Sequence, residues 1–124
     1  MTTFLGAIFM RTLNDYFIPF QINDVSTAGQ VYIPVPDAGK IVKIETILNG
    51  AIATAPAVLT AKINTVAVTG GVVTIAHGSS AAGDLDSAIP TALNEVKESD
   101  LLEIETTGAS TNTIVVNGMI TIRR

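Results

Sequence analysis

The sequence predicts an all-β fold, an antiparallel β-sandwich or jelly roll of about eight short strands preceded by an N-terminal arm. Ile, Val and Thr together make up 43 of the 124 residues, and such β-branched side chains pack well on a pleated sheet. Aromatic residues are only 5% of the chain and Trp is absent, so aliphatic side chains must fill the core. Short alternating apolar runs are separated by turn residues, which is the pattern of strands joined by loops.

The first two runs contain prolines, which favours positions at the edges of sheets. FIPFQI at residues 17–22 includes Pro19, and QVYIPVP at residues 30–36 includes Pro34 and Pro36. Because proline has no N–H to donate, it is tolerated on an edge strand and rarely found at the centre of a sheet. Both runs are therefore predicted to be edge strands or loosely paired extended segments.

The next runs alternate more clearly. In GKIVKIETILNG, residues 39–50, one predicted face holds Val42, Ile44, Thr46 and Leu48, and the other holds Ile41, Lys43, Glu45 and Ile47. In AVLTAKI, one predicted face holds Ala57, Leu59, Ala61 and Ile63. The residues TGG at 69–71 separate two further apolar runs and predict the turn of a tight hairpin.

The last third of the chain contains two further strand patterns. DLLEIETT at residues 100–107 is predicted to point Leu102 and Ile104 inward and Glu103 and Glu105 outward. In the long run at residues 112–124, one predicted face holds Ile114, Val116, Ile120 and Ile122. Gly118 interrupts this run and indicates a bulge or a close backbone approach. Earlier, the residues from Ala92 to Val96 after Pro90 fit one helical turn.

The predicted domain organisation is an N-terminal arm at residues 1–16 and a single β-sandwich domain at residues 17–124. The apolar run at residues 4–10 has no basic residue before it and no small-residue cleavage site after it, so it does not fit a signal peptide. No segment approaches the roughly 18 consecutive apolar residues of a membrane span, and a soluble protein without a membrane partner is expected. The same run equally fits a first strand or helix of the core.

Composition excludes several classes of function. The chain has 7 basic and 11 acidic residues and a formal net charge of −4, a poor surface for nucleic acid, whose binding depends on clustered Lys and Arg. Arg123 and Arg124 form a pair rather than a patch. With no Cys, neither a disulfide framework nor a thiolate metal site can form. With so few charges, apolar surface is expected to remain for a partner, and self-association would cover it.

The residues that could carry chemistry lack partners. His77 is the only histidine, and Ser79, Ser80, Asp84 and Asp86 lie on the same predicted loop, whereas a catalytic triad is held by separate rigid elements. GDLD resembles the start of a calcium loop but lacks its later glycine and glutamate. A carboxylate pair at Glu103 and Glu105 could serve glycoside hydrolysis, but a solvated strand face fits better. We therefore expect no enzyme activity, no cofactor and no metal site.

Taken together, several segments resemble the small capsid decoration, or cement, proteins of tailed bacteriophages. The resemblance covers roughly residues 30–124 and depends most on KINTVAVTGG at 62–71, GSSAAGD at 78–84 and VKESDLLEIETTGAST at 96–111. It implies a homotrimeric β-sandwich that clamps the major capsid protein from outside, at the outer capsid surface of a virion, after synthesis in the host cytoplasm. It also implies glycine where this chain has Ser99.

The apolar arm is the predicted contact with the capsid or with a neighbouring subunit. Its contact residues are predicted to be Phe4, Leu5, Ile8, Phe9 and Met10. Segments of this kind can become ordered on docking, and burial of their side chains stabilises the contact. An alternative function is a fibre or adhesion module of the virion surface that binds host glycan, although only two Tyr and four Phe are available to stack on sugars. A small hydrolase is a third and weaker interpretation.

Overall fold

The predicted strands form two antiparallel sheets that pack face to face. A computed structural model describes residues 14–124, and within that range it contains strands and no helix. The nine strands are β1 (Asp15–Ile22), β2 (Gly29–Pro34), β3 (Gly39–Leu48), β4 (Ala57–Ile63), β5 (Val66–Ile75), β6 (Leu85–Ala88), β7 (Glu95–Val96), β8 (Leu101–Thr106) and β9 (Val116–Arg123). This confirms the all-β prediction. The first strand includes two residues that the sequence analysis assigned to the arm.

The strand order places the last strand at the centre of the first sheet. That sheet has the order β1-β9-β3-β6, with the short β7 also paired to β3, and the second sheet has the order β2-β8-β4-β5. β1 and β2 are edge strands, which agrees with the prolines at Pro19 and Pro34. The core lies between the sheets, and its largest fully buried side chains include Ile44, Leu59, Leu102, Ile104 and Ile120.

The sequence predicts a bulge or a close backbone approach at Gly118, and the structure instead shows the side-chain ring of Phe20 packed against it without a bulge. It lies opposite Phe20 in the pairing of β9 with β1. A Cβ added to Gly118 would lie 2.0 Å from the Phe20 ring, so the ring covers the glycine from the core side of the sheet. Phe20 itself is buried. Here an aromatic side chain fills the space that the missing glycine side chain leaves.

The predicted hairpin turn at TGG is wrong, because the turn lies several residues earlier. Asn64 and Thr65 have φ values of 49° and 72° and connect β4 to β5, a two-residue turn of the type that matches strand twist. The TGG residues lie inside β5, where the pairing with β4 shifts register. A Cβ on Gly70 would lie 2.9 Å from the carbonyl oxygen of Ile89, so this glycine allows a neighbouring loop to approach.

The predicted faces of β3 are correct beyond its middle and wrong at its beginning. Ile44 and Leu48 are buried as predicted, but Ile41 is fully buried and Val42 is half-buried. The cause is a bulge: β9 pairs Thr121 with Lys43 and Ile122 with Ile41, so Val42 is an extra residue. One additional residue reverses the alternation on the side that precedes it.

The helical turn predicted after Pro90 is also wrong. Glu95 and Val96 form the short strand β7, and the backbone at Ala92 bridges to Thr69. Asn94 explains the extended path, because its side-chain amide donates to the carbonyl oxygen of Ile41 at 2.7 Å and its own carbonyl accepts from the Ile41 N–H at 2.9 Å. This buried amide attaches the segment to the edge of the first sheet.

The turn before β8 has the backbone conformation that favours glycine. Ser99 has a φ of 71°, and its N–H donates to the carbonyl oxygen of Val35 at 2.8 Å. Asp100 stabilises the same turn by accepting from the Lys97 N–H at 2.8 Å and from the Asn64 amide at 3.1 Å. These two hydrogen bonds lower the pKa of Asp100.

Candidate interaction surface

The predicted contact residues Phe4, Leu5, Ile8, Phe9 and Met10 lie outside the described residues. The described chain begins at Asn14, whose carbonyl oxygen accepts a hydrogen bond from the Arg124 N–H at 3.2 Å. Next to it, the Arg123 guanidinium binds both carboxylate oxygens of Asp15, at 2.8 and 3.0 Å. The path into β1 is therefore held beside the end of β9.

The serine and histidine of the 77–86 loop are not arranged as a catalytic triad. The Ser80 hydroxyl accepts from the Ile52 N–H at 3.0 Å, and the carbonyl oxygens of Ile52 and His77 lie 3.0 and 2.8 Å from it as acceptors. The side-chain carboxylate of Asp84 accepts from the Ala81 N–H at 2.9 Å. Both groups hold the loop in shape through backbone atoms, and His77 contributes its carbonyl oxygen.

The two aspartates of this loop lie in different environments. Asp86 is half-buried opposite Thr46, and burial, followed by the negative charge of Asp84, raises the pKa of Asp86. Thr46 has a buried hydroxyl without a hydrogen-bond partner. Within residues 14–124, no group of three or more His, Cys, Asp or Glu side chains is placed to hold a metal ion.

The outer face of the second sheet holds charged side chains beside the exposed apolar residues Tyr32, Val72 and Leu101, and one of its glutamates is covered. Glu103 is flanked by Tyr32 on β2 and Lys62 on β4, and only 6% of it is exposed. The prediction that it lies on a solvated face is therefore wrong for this residue. Lys62 forms a 2.7 Å salt bridge with Glu105, and this hydrogen bond raises the pKa of Lys62. Lys62 thus pairs with one of the two glutamates on this face.

The outer face of the first sheet carries an apolar stripe that consists of Pro19, Met119, Ile47 and Leu85. Each of the four strands β1, β9, β3 and β6 contributes one of these residues. Pro19 lies opposite Met119, and Ile47 lies opposite Leu85. Met119 is 40% exposed, Ile47 41% and Leu85 60%. The stripe therefore crosses the sheet diagonally and leaves apolar surface in contact with solvent.

Polar groups border the apolar stripe on both sides. Gln21 donates its side-chain amide to the amide oxygen of Asn117 at 2.8 Å on one side, and Lys43 and Glu45 form a 3.1 Å salt bridge on the other. An open cleft of about 610 Å³ lies on this side, and its lining includes Lys43, Glu45, Val42, Ile89 and Met119. An apolar centre with a paired polar border is the arrangement of a contact surface.

The arginines of the last strand are engaged within the domain. Arg123 pairs with Asp15, and Arg124 binds the carboxylate of Asp37 at 2.8 Å while its guanidinium lies 5.1 Å from the centre of the Tyr16 ring. The Tyr16 hydroxyl donates to the carbonyl oxygen of Asp37, and burial raises the pKa of Tyr16. These contacts agree with the prediction that the two arginines form no basic patch.

The apolar stripe is not evident from the sequence, because its members are distant along the chain. Each is an outward-facing position in a strand, which alternation can indicate, but their proximity depends on which strands are neighbours.

In residues 14–124, no helix is long and apolar enough to cross a membrane. No known protein-family model matches this chain, and no curated protein matches its sequence.

Proposed function

We propose that this protein decorates the outer face of a bacteriophage capsid and stabilises the shell by bridging capsid subunits. The observation that carries the proposal is the apolar stripe on the outer face of the first sheet, where Met119, Ile47 and Leu85 are exposed. Such a domain can place one side against a large partner and leave the other in solvent. The resemblance of residues 30–124 to cement proteins supports the same function.

Such a protein would stabilise the assembled capsid. A ligand that binds only when neighbouring subunits are together stabilises the assembly by mass action. In this proposal the protein acts as a homotrimer, and residues Phe4, Leu5, Ile8, Phe9 and Met10 contact the shell or a neighbouring subunit. The formal net charge of −4 suits a partner other than nucleic acid.

No catalytic role is included in the proposal. Ser80 and Asp84 use their side chains to hold backbone groups, and the environment of Glu103 is a packed cross-strand cluster rather than an open carboxylate pair. The proposed partner is the major capsid protein.

The test is co-sedimentation with purified heads that lack this protein. The full chain and a Val72→Lys control, changed at a 45% exposed position on the outer face of the second sheet, are expected to bind. Deletion of residues 2–12 is expected to weaken binding by orders of magnitude, because burial of each apolar side chain contributes roughly 1.5–3 kcal/mol. After the protein is released from the heads, equilibrium sedimentation should give the mass of a trimer.

Two results would contradict the proposal. One is full-strength binding to glycan arrays or host cells with no binding to heads, which would favour the adhesion interpretation. The other is head binding by the deletion variant as strong as that of the full chain, which would exclude the arm as the anchor.

A further inference from the structure

The apolar stripe is long enough to bind one short segment of polypeptide. Neighbouring strands are about 4.8 Å apart, so the three steps from β1 to β6 span roughly 14 Å. The Gln21–Asn117 pair and the Lys43–Glu45 pair flank it, whereas on β1 the exposed Phe17 extends the apolar surface beyond Pro19. An apolar surface of this size can accommodate an extended or helical segment of a few apolar residues.

This chain itself contains a segment of that kind. Residues 4–10 read FLGAIFM, with no charged side chain. They precede β1, the strand that contributes Pro19 to the stripe, and only residues 11–14 separate them from Asp15. Four residues are a common length for a connection between neighbouring elements. Seven residues in extended form reach about 23 Å, more than the length of the stripe.

We propose that, in the free protein, residues 4–10 fold back and cover the apolar stripe of their own chain. The short connection favours this occupant over a second copy, because a short linker gives an effective concentration in the millimolar range. The hydrogen bond between Arg124 and Asn14 supports the geometry, since it holds the start of the connection beside the first sheet. The inference concerns the free chain and does not depend on the proposed capsid function.

Disulfide trapping tests this inference directly, because the chain has no cysteine of its own. The test variant is Phe9→Cys with Met119→Cys, and the control is Phe9→Cys with Val72→Cys. Met119 and Val72 are similarly exposed, at 40% and 45%, on opposite faces of the sandwich. At about 1 μM protein, a millimolar effective concentration predicts an excess of disulfides within chains over those between chains of roughly 1,000-fold.

An intrachain disulfide that forms readily in the test variant and slowly in the control supports the proposal. Equal rates in the two variants would overturn it. Predominantly interchain disulfides would also overturn it and would assign the stripe to the arm of a second copy. None of these outcomes alters head binding by the unmodified chain, so this inference and the proposed function can fail separately.

A fluorescence measurement covers the case in which the cysteine variants fold poorly. The chain has no Trp, so Phe9→Trp introduces a single reporter. We expect its emission to be that of a buried indole, to move to that of a solvent-exposed indole when Ile47→Lys is added, and to stay unchanged when Val72→Lys is added. Solvent-type emission from the Phe9→Trp chain itself would contradict the proposal.

Discussion

The ring of Phe20 packs directly on Gly118 and leaves no space for a side chain at that position. Gly118→Ala places a methyl group where the ring now lies, 2.0 Å from its nearest atom, and the ring is buried. Overpacking of this kind typically costs 1–3 kcal/mol, and we expect a loss of about that size in chemical denaturation. Gly29→Ala is the matched control, since nothing lies within 4 Å of its added Cβ.

The control should be neutral or slightly stabilising, because alanine restricts the unfolded chain more than glycine does. Adding Phe20→Leu should recover part of the stability lost in Gly118→Ala, because the smaller side chain gives the new methyl group space. Equal effects of Gly118→Ala and Gly29→Ala would show that the ring does not constrain this position.

Because of Asp86, the stability of the fold should depend on pH in a defined direction. Because burial and Asp84 raise its pKa in the folded state, the folded chain retains the proton to higher pH than the unfolded chain does. Its contribution to stability is therefore present below the unfolded pKa and is lost as pH rises through the folded pKa. Asp86→Asn should be more stable than the natural chain at neutral pH, with the difference disappearing in acid.

Thermal melts of both chains between acid and neutral pH measure this effect. Asp100→Asn is a useful comparison, because hydrogen bonds lower the pKa of Asp100. That group stabilises the fold above its unfolded pKa, and its contribution is lost as pH falls through the folded pKa. A pH-independent difference between Asp86→Asn and the natural chain would contradict the assignment.

At the scale of the element, the bulge in β3 causes two adjacent residues to differ in burial. Ile41 is fully buried and Val42 is half-buried beside the cleft. Ile41→Asp should destabilise the protein by roughly 3–5 kcal/mol, as expected for an unpaired buried charge. Val42→Asp should change stability by about 1 kcal/mol or less, because its side chain reaches solvent. Equilibrium unfolding of the two variants, with the reverse order as the contradicting outcome, tests the register.

Comparison of β3 with other elements shows how far alternation alone could predict the structure. The inward positions of Leu102 and Ile104 were predictable because β8 pairs without a register shift. Ile41 was not, since one inserted residue reverses the pattern and nothing in the local sequence requires it. The hairpin turn was placed at TGG on its glycine content, although Asn64 and Thr65 adopt the positive φ values. Long-range contacts, absent from local patterns, decided both cases.

The candidate surface was less predictable than the fold. Pro19, Met119, Ile47 and Leu85 come together only through the order of strands in the first sheet. Alternation could have indicated each as outward and apolar, and no local pattern indicates their proximity. Ser99 has a φ of 71°, a conformation that glycine adopts most easily, although this chain has serine there.

At the scale of the whole molecule, the two sheets share one core and should unfold together. Ile44 belongs to the first sheet and Ile104 to the second, and both are almost fully buried. Changing either to Asp should abolish the strand signal in circular dichroism for the entire chain, since a buried unpaired charge costs several kcal/mol out of a small total. Val72→Asp serves as the exposed control. Retention of one sheet after loss of the other would contradict a single cooperative unit.

The central position of β9 has a consequence for synthesis on the ribosome. The second sheet needs no residue beyond Thr106, and β4 and β5 can pair as a hairpin soon after they are made. The first sheet cannot be completed until the last strand is made, because Asp15 on β1 and its partner Arg123 on β9 are 108 positions apart. Until β9 emerges, β1 lacks its pairing partner, and its buried residues face solvent. Nascent chains stalled before residue 116 should therefore aggregate or recruit chaperones far more than completed ones.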